Sequence, residues 1–368
     1  MEEVSSPHQN PPPASGAADR LSWPPPTLVT LPRNLPEALE TLPALEALVA
    51  SGRRLVLLAS RSHGPLLRQL PGIEQVVEVT PSEEAMQAEL RQLGCSEAIL
   101  LEDSLDSAWL SQRLPIPQRW GYGGWLRKRL LASAVARPPK DLQGPRRLEP
   151  LLEALGVEPP RSWRPRLRLS QELLDEGRRL IQRSRATDGR PRIGLAPTTD
   201  LRRAPSWPWK RFAELAQTLR REDPGRSLIL LGDIQDLWPV VRIHEETARF
   251  FPVLGPDLDL DRLAAILADL DLLVASECSV LYLAAALGVP TVALVETGRS
   301  VHRLPTSDEL ASKGSTEARP ARERHVTVPG LRVPWTWKPR LGGIEVAEVA
   351  RICDRVLQAP KTSPSPAP

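Results

Sequence analysis

The amino-acid sequence predicts an α/β protein in which two Rossmann-like domains with parallel sheets face each other across a cleft. Short apolar runs recur about every 20–25 residues with helix-length segments between them, a spacing typical of βαβ units and parallel sheets. This alternation fades between about residues 140 and 190 and then resumes. The 368 residues of the chain also suffice for two domains of about 100–200 residues each.

The first half of the chain contains four apolar runs that predict strands, at 27–31, 54–60, 75–79 and 97–101. Between the first two runs, apolar side chains recur at helical spacing from Pro36 to Ala50 and predict one amphipathic helix. The segments between the other runs have the length of helices. Strands that are apolar along their whole length are typical of a parallel sheet with both faces covered.

The second half repeats this pattern after an irregular middle, rich in Pro and Arg, with one predicted helix at 171–184. Strands are predicted at 192–196, 227–232, 271–275 and 291–295, and helices at 209–221, 234–247, 259–269 and 279–287. The stretch 302–340 shows neither period, so we predict that it is irregular.

These patterns predict the domain boundaries. We expect an N-terminal domain over 27–170, a C-terminal domain over 171–343 and a closing helix over 344–358. Residues 1–26 and 359–368 are rich in Pro, Ser and Ala and poor in large apolar side chains. Such segments bury too little surface to offset their chain entropy, so both are predicted to be disordered tails.

Composition excludes several classes of protein. A net charge of +3 excludes an overall basic protein that coats nucleic acid. The three cysteines form neither a disulfide framework nor a CxxC site, which favours a reducing compartment. The first residues lack the pattern of a secretory signal, and no apolar run approaches the about 18 residues of a spanning helix. We therefore expect a cytoplasmic protein.

Histidine spacing argues against a metal site. His63, His244 and His302 have no partner at helical spacing, whereas metal-binding histidines usually pair with further ligands. We expect neither a metal nor a bound cofactor.

The segment at 271–296 is the most informative one. A buried strand is predicted to end at Ala275, Ser276 or Ser279 is placed to cap the next helix, and Gly288 and Pro290 end that helix. A helix N-terminus at the carboxyl end of a strand offers free N–H groups and partial positive charge, which suit a phosphate. The alternative is an ordinary βαβ connection.

Two further strand ends carry polar groups that suit a nucleotide. Thr198, Thr199, Arg202 and Arg203 follow the strand at 192–196, and hydroxyl and guanidinium groups suit an anionic ligand. A solvated, positively charged loop is the alternative.

The strand at 227–232 ends in Gly232, and Asp236 follows four residues later, where a carboxylate could bind ribose hydroxyls. The alternative is an acidic first turn, which any connection of this kind can carry.

Residues 118–140 combine cations with aromatic side chains and contain no acidic residue. The cations are Arg119, Arg127, Lys128, Arg129, Arg137 and Lys140, and the aromatic residues are Trp120, Tyr122 and Trp125. This mixture favours peripheral contact with an anionic membrane or a lipid-linked acceptor. The alternative is a solvated basic face with its aromatic residues packed inward. No recognised nucleic-acid-binding module accompanies it, so nucleic acid is not an expected partner.

Six segments occur in a characteristic order: TLPALEAL (41–48), SAWL (107–110), RWGYGG (119–124), LEPLLEALGV (148–157), SWPWKRFAELAQTL (206–219) and DLLVASECSVLYLAAALGVPTVAL (271–294). In this order and spacing, from about Thr27 to Leu357, the chain resembles the lipopolysaccharide heptosyltransferases, family 9 of the glycosyltransferases. The resemblance implies the two-domain GT-B fold.

The resemblance also assigns roles to residues. Glu37 stands where the family has its general base, an Asp, six residues before Pro43. The family's Asp-Thr-Gly-x-x-His loop, which binds the donor, is replaced by Glu277, Cys278, Ser279, Val280, Leu281 and Tyr282. Pro205 stands in place of a Lys that faces phosphate, and Glu296 in place of a Gly.

From this resemblance we expect an inverting, metal-independent glycosyltransferase. It would move a heptose-like sugar or another hexose from a nucleotide-diphosphate donor to a cell-envelope glycan or glycolipid of the lipopolysaccharide type. The C-terminal domain would bind the donor, with Thr198, Thr199 and the start of the 279–287 helix on phosphate and Asp236 on ribose. The N-terminal domain would bind the acceptor, with Glu37 as base.

Two other functions remain open at this level. The changed motif positions favour a catalytically inactive family member that binds a sugar nucleotide or glycan during envelope assembly, whereas the acid at position 37 favours the enzyme. A sugar-nucleotide epimerase on the same fold would need further carboxylates and a histidine in the cleft, of which the sequence gives no clear sign.

Overall fold

The computed structural model describes residues 24–139, 142, 144–184, 188–197, 207–232, 237–255, 258–295, 325–327 and 343–359. The predicted tails lie outside these residues except at their inner ends. There Pro26 is buried, and its carbonyl accepts a hydrogen bond from the Ser96 amide.

The first sheet is entirely parallel, as predicted. Its strands are β1 (Thr27–Thr30), β2 (Leu55–Ser60), β3 (Ile73–Val79), β4 (Glu97–Leu100), β5 (Gln118–Tyr122) and β6 (Ser133–Val135). They lie in the order β3-β2-β1-β4-β5-β6, and Val29 in the centre pairs with Leu57 and Ile99. The last two strands fall inside 118–140, where the sequence analysis predicted a surface patch.

Helices cover both faces of this sheet. They are α1 (Leu35–Glu40), α2 (Leu42–Ala50), α3 (Gly64–Leu67), α4 (Glu83–Gln92), α5 (Leu105–Arg113) and α6 (Glu149–Ala154). The single helix predicted over 36–50 is two helices separated by Thr41. Pro43 explains the break, because it has no N–H to donate to the carbonyl of Leu39 and its ring crowds that carbonyl.

The second sheet is parallel except at one edge. Its strands are β7 (Arg192–Ala196), β8 (Ser227–Leu231), β9 (Val253–Leu254), β10 (Leu272–Ser276), β11 (Thr291–Val295) and β12 (His325–Thr327), in the order β12-β11-β10-β7-β8-β9. The antiparallel strand β12 lies in the stretch 302–340, which was predicted to be irregular.

Six helices flank the second sheet in the described part of the chain: α7 (Gln171–Arg183), α8 (Trp209–Glu222), α9 (Leu237–Glu246), α10 (Leu260–Ala268), α11 (Ser279–Ala286) and α12 (Val346–Gln358). Successive residues of β8 point to opposite faces. Leu230 packs with α8, α9 and α12, and Leu231 belongs to the cluster that includes α10 and α11. None of the helices in the described residues is both long and apolar enough to span a bilayer.

One buried apolar cluster spans both sheets. It contains Leu39 and Leu42 at the α1–α2 junction and Leu281 and Leu283 of α11, and α1 packs directly against α11. Since α1 follows the carboxyl end of β1 and α11 follows that of β10, the carboxyl ends of the two sheets face each other here. This is the junction at which α/β proteins bind their ligands.

Gly177 allows α7 and α10 to approach closely. A Cβ at this position would lie 2.6 Å from the carbonyl carbon and oxygen of Ala265. At an exposed helix position Gly→Ala stabilises by about 1 kcal/mol. Here we expect Gly177→Ala to lower the free energy of unfolding by about 1–3 kcal/mol, because backbone atoms cannot move aside cheaply.

Urea denaturation followed by circular dichroism measures this effect. Gln182→Ala, an exposed change on the same helix, is the control and should have little effect. A stabilised Gly177→Ala variant would contradict the close packing.

Candidate active site

Glu37 lies in the first turn of α1, where β1 leads into the junction between the sheets. Asn34 caps this helix: its Oδ1 accepts a hydrogen bond of 2.9 Å from the amide of Glu37. Pro36 suits the first turn because its missing N–H would have no partner there. The backbone of Glu37 is therefore fixed at the helix start, and the residue is half-buried.

The N-terminus of α11 carries no side-chain cap. Cys278 occupies the N-cap position in an extended conformation, so the prediction that Ser276 or Ser279 caps the helix is wrong. Ser276 is buried at the end of β10, and its Oγ accepts a hydrogen bond of 3.4 Å from the amide of Trp207. Within the described residues, the side chain of the N-cap residue accepts no hydrogen bond from the first amides of α11, an arrangement that suits an anionic ligand.

The other residues of the replaced loop differ in their accessibility. Ser279 is exposed, Glu277 and Cys278 are half-buried, and Tyr282 is buried in the apolar cluster shared with α1. The packing of α11 against α1 brings this loop to the same junction as Glu37.

Gly232 has a packing role at the end of β8. A Cβ there would lie 2.8 Å from Cγ2 of Val240 on α9, and its amide donates a hydrogen bond of 3.1 Å to the carbonyl of Leu254. The glycine lets α9 approach the strand end closely. The other predicted donor residues, Thr198, Thr199, Arg202, Arg203 and Asp236, lie outside the described residues, as do Pro205 and Glu296.

Charged side chains from separate loops meet at the carboxyl ends of β4 and β5. Arg127 is buried, and its Nη1 donates a hydrogen bond of 2.8 Å to the carbonyl of Glu102 and lies 3.8 Å from Asp103. Arg33, which follows β1, pairs with Asp106 at 3.3 Å. From the sequence, Arg127 was predicted only as part of the patch over 118–140. The rule that ligands bind at the carboxyl ends of parallel strands could have identified this group.

Burial sets the electrostatics of this group. It raises the pKa of the Glu102 carboxyl, against the opposing effects of Arg33 and Arg127, and it lowers the pKa of Arg127. Nε and Nη2 of Arg127 are buried without a hydrogen-bond partner among the described residues. Arg127 is therefore a desolvated cation, whereas the side chains of Arg33, Asp103 and Asp106 around it are exposed.

The patch predicted over 118–140 is only partly a surface. Tyr122 packs in the core and the half-buried Trp120 packs against it, Arg127 is buried, and the guanidinium of Arg119 donates to the carbonyl of Leu130 at 3.0 Å. Trp125, Leu126, Lys128 and Arg129 are exposed to solvent. Lys140 lies outside the described residues.

His63 is buried where β2 leads into α3. Burial lowers its pKa below the ordinary 6.5, against the opposing effect of the Pro32 carbonyl. As the pH falls below about 6.5, the unfolded chain takes up a proton at this site before the folded chain does, so stability is lost. The slope is at most about 1.4 kcal/mol per pH unit.

We expect His63→Gln to remove this component. Between about pH 7.5 and pH 5.5 the wild-type protein should lose more stability than the variant, as measured by urea denaturation at each pH. His244, which is half-buried on α9, supplies the control His244→Gln. If the free energy of unfolding of wild type and of His63→Gln changed with pH in parallel, the predicted effect of His63 burial would be refuted.

No group of three or more His, Cys, Asp or Glu side chains within the described ranges is arranged to hold a metal ion. The prediction of a metal-independent site concerns the complex with the donor and stays a prediction.

The sequence of the chain matches a known protein family. A family model described as glycosyltransferase family 9 (heptosyltransferase) matches residues 85–328, so Glu37 lies before the matched range. Lipopolysaccharide heptosyltransferase 2 of Salmonella typhimurium is 27% identical over 270 residues, which cover 62% of this chain and 70% of that protein.

Two solved structures have the same fold. The glycosyl transferase family 9 protein from Veillonella parvula gives a TM-score of 0.73 at 18% identity, over 90% of this chain and 96% of that chain. Escherichia coli ADP-heptose lipopolysaccharide heptosyltransferase II gives a TM-score of 0.68 at 22% identity, over 90% and 98% of the two chains. The predicted GT-B fold is confirmed.

Proposed function

Because this chain belongs to glycosyltransferase family 9, as its motifs predict, we propose that it transfers a heptose-like sugar or another hexose from a nucleotide-diphosphate donor. The acceptor is a glycan or glycolipid of the lipopolysaccharide type. The reaction inverts the anomeric carbon and needs no metal, and it takes place in the cytoplasm at the inner face of the cytoplasmic membrane. The relative from Salmonella typhimurium is named for heptose transfer to lipopolysaccharide.

The contact between α1 and α11 is the observation that supports this proposal most directly. It brings a half-buried carboxylate, Glu37, to the same junction as the uncapped start of α11. A base on one side and an anion seat on the other are the two groups that a single displacement at an anomeric carbon requires.

In the proposed reaction Glu37 takes the proton of an acceptor hydroxyl. The hydroxyl oxygen forms a bond to the anomeric carbon as the bond from that carbon to the diphosphate oxygen breaks on the opposite face. The electron pair leaves with the nucleoside diphosphate, whose growing negative charge the amides at the start of α11 stabilise. A Glu side chain is about one methylene longer than an Asp side chain. The acceptor hydroxyl would therefore bind slightly further from the backbone of residue 37 than it does in family members that have Asp there.

The remaining predicted residues complete the donor site in this proposal. Thr198 and Thr199 bind phosphate together with Arg202 and Arg203, which supply the positive charge that Pro205 does not. Asp236 binds ribose. Glu277, Cys278, Ser279 and Tyr282 form or support the donor loop.

In this proposal Arg127 stabilises the backbone on the side of the junction where the acceptor binds. Arg127 fixes the backbone at Glu102 through a hydrogen bond of 2.8 Å, and this segment lies at the carboxyl end of β4, on the same edge as Glu37. We assign Arg127 as a positioning residue for the acceptor, because its guanidinium is buried rather than presented to a ligand.

Calorimetric titration of the full chain with ADP, GDP and UDP, in the presence of EDTA, tests the donor site. We expect saturable binding in the micromolar range for ADP, the nucleotide in the description of the Escherichia coli neighbour. Absence of binding by all three nucleotides, from a chain shown to be folded, would contradict a functional donor site.

A proline variant tests the role of α11. Ser279→Pro removes one amide at the first helical position, where proline is tolerated, and Cys278 already has the extended conformation that precedes a proline. We expect ADP affinity to fall about five- to ten-fold. Gln171→Pro, at the first position of α7 after the extended Ser170, is the matched control and should leave ADP affinity unchanged.

A further inference from the structure

Large apolar side chains are exposed together beside the acceptor side of the junction. Leu105 and Trp109 of α5 are 43% and 53% exposed. Four residues apart on a helix, they lie on one face. Trp125 and Leu126, in the turn that follows β5, are 80% and 45% exposed. Exposed apolar groups in a cluster mark an interaction site, whereas isolated ones need no explanation.

Two observations place the turn beside α5. Arg127 donates to the carbonyl of Glu102, three residues before Leu105. At the end of the turn, Leu131 belongs to the apolar cluster that includes Ala108 of α5, and Leu130 packs against that cluster. We call Leu105, Trp109, Trp125, Leu126, Lys128 and Arg129 the basic-aromatic edge.

The edge carries positive charge without matching acids. Lys128 and Arg129 are exposed and form no ion pair with any described residue. The nearby acids are already paired: Asp106 with Arg33 at 3.3 Å, and Asp103 with Arg127 and Arg137 at 3.8 and 3.9 Å. The guanidinium of Arg113 lies 5.5 Å from the ring centre of Trp109, but it is paired with Glu83 at 2.8 Å. The unmatched charge of the edge therefore comes from Lys128 and Arg129.

We propose that the basic-aromatic edge docks on the surface of an anionic lipid bilayer. Tryptophan side chains are favoured at the interface between headgroups and acyl chains, and lysine and arginine are attracted to anionic headgroups. A protein partner would be expected to offer a pocket for each ring, whereas a bilayer accepts rings that protrude independently, as Trp125 does.

The position of the basic-aromatic edge suggests a role for its contact with the bilayer. The edge adjoins the carboxyl ends of β4 and β5, on the acceptor side of the junction. Docking there would bring the acceptor side close to a glycolipid whose acyl chains remain in the bilayer. This purpose rests on the proposed function, whereas the evidence for the surface itself does not.

Sedimentation with lipid vesicles tests the inference. We expect the full chain to bind vesicles of phosphatidylcholine with about one third phosphatidylglycerol, and to bind pure phosphatidylcholine much more weakly. Trp109→Ala with Trp125→Ala should weaken binding by at least about ten-fold. Lys128→Gln with Arg129→Gln should weaken it by about five-fold for each charge removed.

Trp238→Ala is the matched control. Trp238 is 62% exposed on α9, beside the other sheet, and its removal should leave vesicle binding unchanged. Absence of binding to anionic vesicles, or equal loss in Trp238→Ala and in the double tryptophan variant, would overturn the inference.

ADP titration of the same proteins separates this inference from the proposed function. Unchanged ADP affinity with lost vesicle binding supports a docking role for the edge. If the chain binds ADP and not vesicles, the inference fails and the proposed donor site stands. If the chain binds vesicles and no nucleotide, the inference stands and the proposed donor site fails.

Discussion

Replacing Glu37 with alanine is expected to lower kcat for sugar transfer by about 10²- to 10⁴-fold, the usual contribution of a general base. ADP affinity should stay unchanged, because Glu37 lies on α1 and the proposed phosphate seat on α11. The fold should also tolerate the change. Asn34 caps α1 through the amide of residue 37, which alanine retains.

Two further variants at this position identify the chemistry. Glu37→Gln keeps the size but cannot accept a proton, so it should be as slow as Glu37→Ala. Glu37→Asp keeps the carboxylate and should retain part of the activity, with a pH profile still governed by one acid. Glu84→Ala, an exposed acid on α4, is the control. Full activity of Glu37→Gln would exclude Glu37 as the base.

Trp207→Ala should be the most destabilising of the proposed substitutions, with a loss of about 3–5 kcal/mol in the free energy of unfolding. Trp207 is fully buried, and its ring lies edge-to-face with Phe212 at a centroid distance of 5.0 Å. Its Nε1 donates a hydrogen bond of 3.1 Å to the carbonyl of Ile344, just before α12. Alanine therefore leaves a cavity and removes one of the two hydrogen bonds to the carbonyl of Ile344 at the start of the last helix.

Trp207→Phe separates these two contributions. Phenylalanine fills most of the volume, and the carbonyl of Ile344 keeps a second donor, Nη1 of Arg211 at 2.6 Å. We expect a loss of only about 1–2 kcal/mol. Far-UV circular dichroism during urea denaturation measures both variants without depending on tryptophan emission. The exposed Trp238→Ala should change the free energy of unfolding by less than about 0.5 kcal/mol. If Trp207→Ala lost no more stability than Trp238→Ala, the proposed structural role of Trp207 would be contradicted.

Much of the fold could be predicted because central strands are apolar on both faces. Runs such as those ending at Ser60 and Ser276 have no other stable place than a covered sheet. Strand β5 was missed because its sequence contains Arg119 and Gly121, and β6 because it has only three residues, Ser133–Val135. The guanidinium of Arg119 is satisfied by backbone carbonyls, a partnership that composition does not reveal.

The sequence predicted the part of the candidate site that lies within a single strand-to-helix loop, but not the part that combines several loops. The helix start after β10 was identified from its own sequence. The predicted serine cap is absent from the structure, because the Oγ of Ser276 accepts a hydrogen bond from the amide of Trp207 instead. The group around Arg127 was missed for a different reason. Its members Arg33, Glu102 and Arg127 follow three different strands, and only the order of the strands in the sheet brings them together.

The apolar contact between α1 and α11 has a mechanical consequence. Among the described residues a second helix pair, α3 with α10, also joins the two sheets, so a rotation of one sheet relative to the other that preserves both contacts would turn about the line between them. The far rims of the junction would then open and close by the largest amounts, while the distance from Glu37 to the start of α11 would hardly change. Substrates could enter and leave by such a rotation with the reacting groups kept in register.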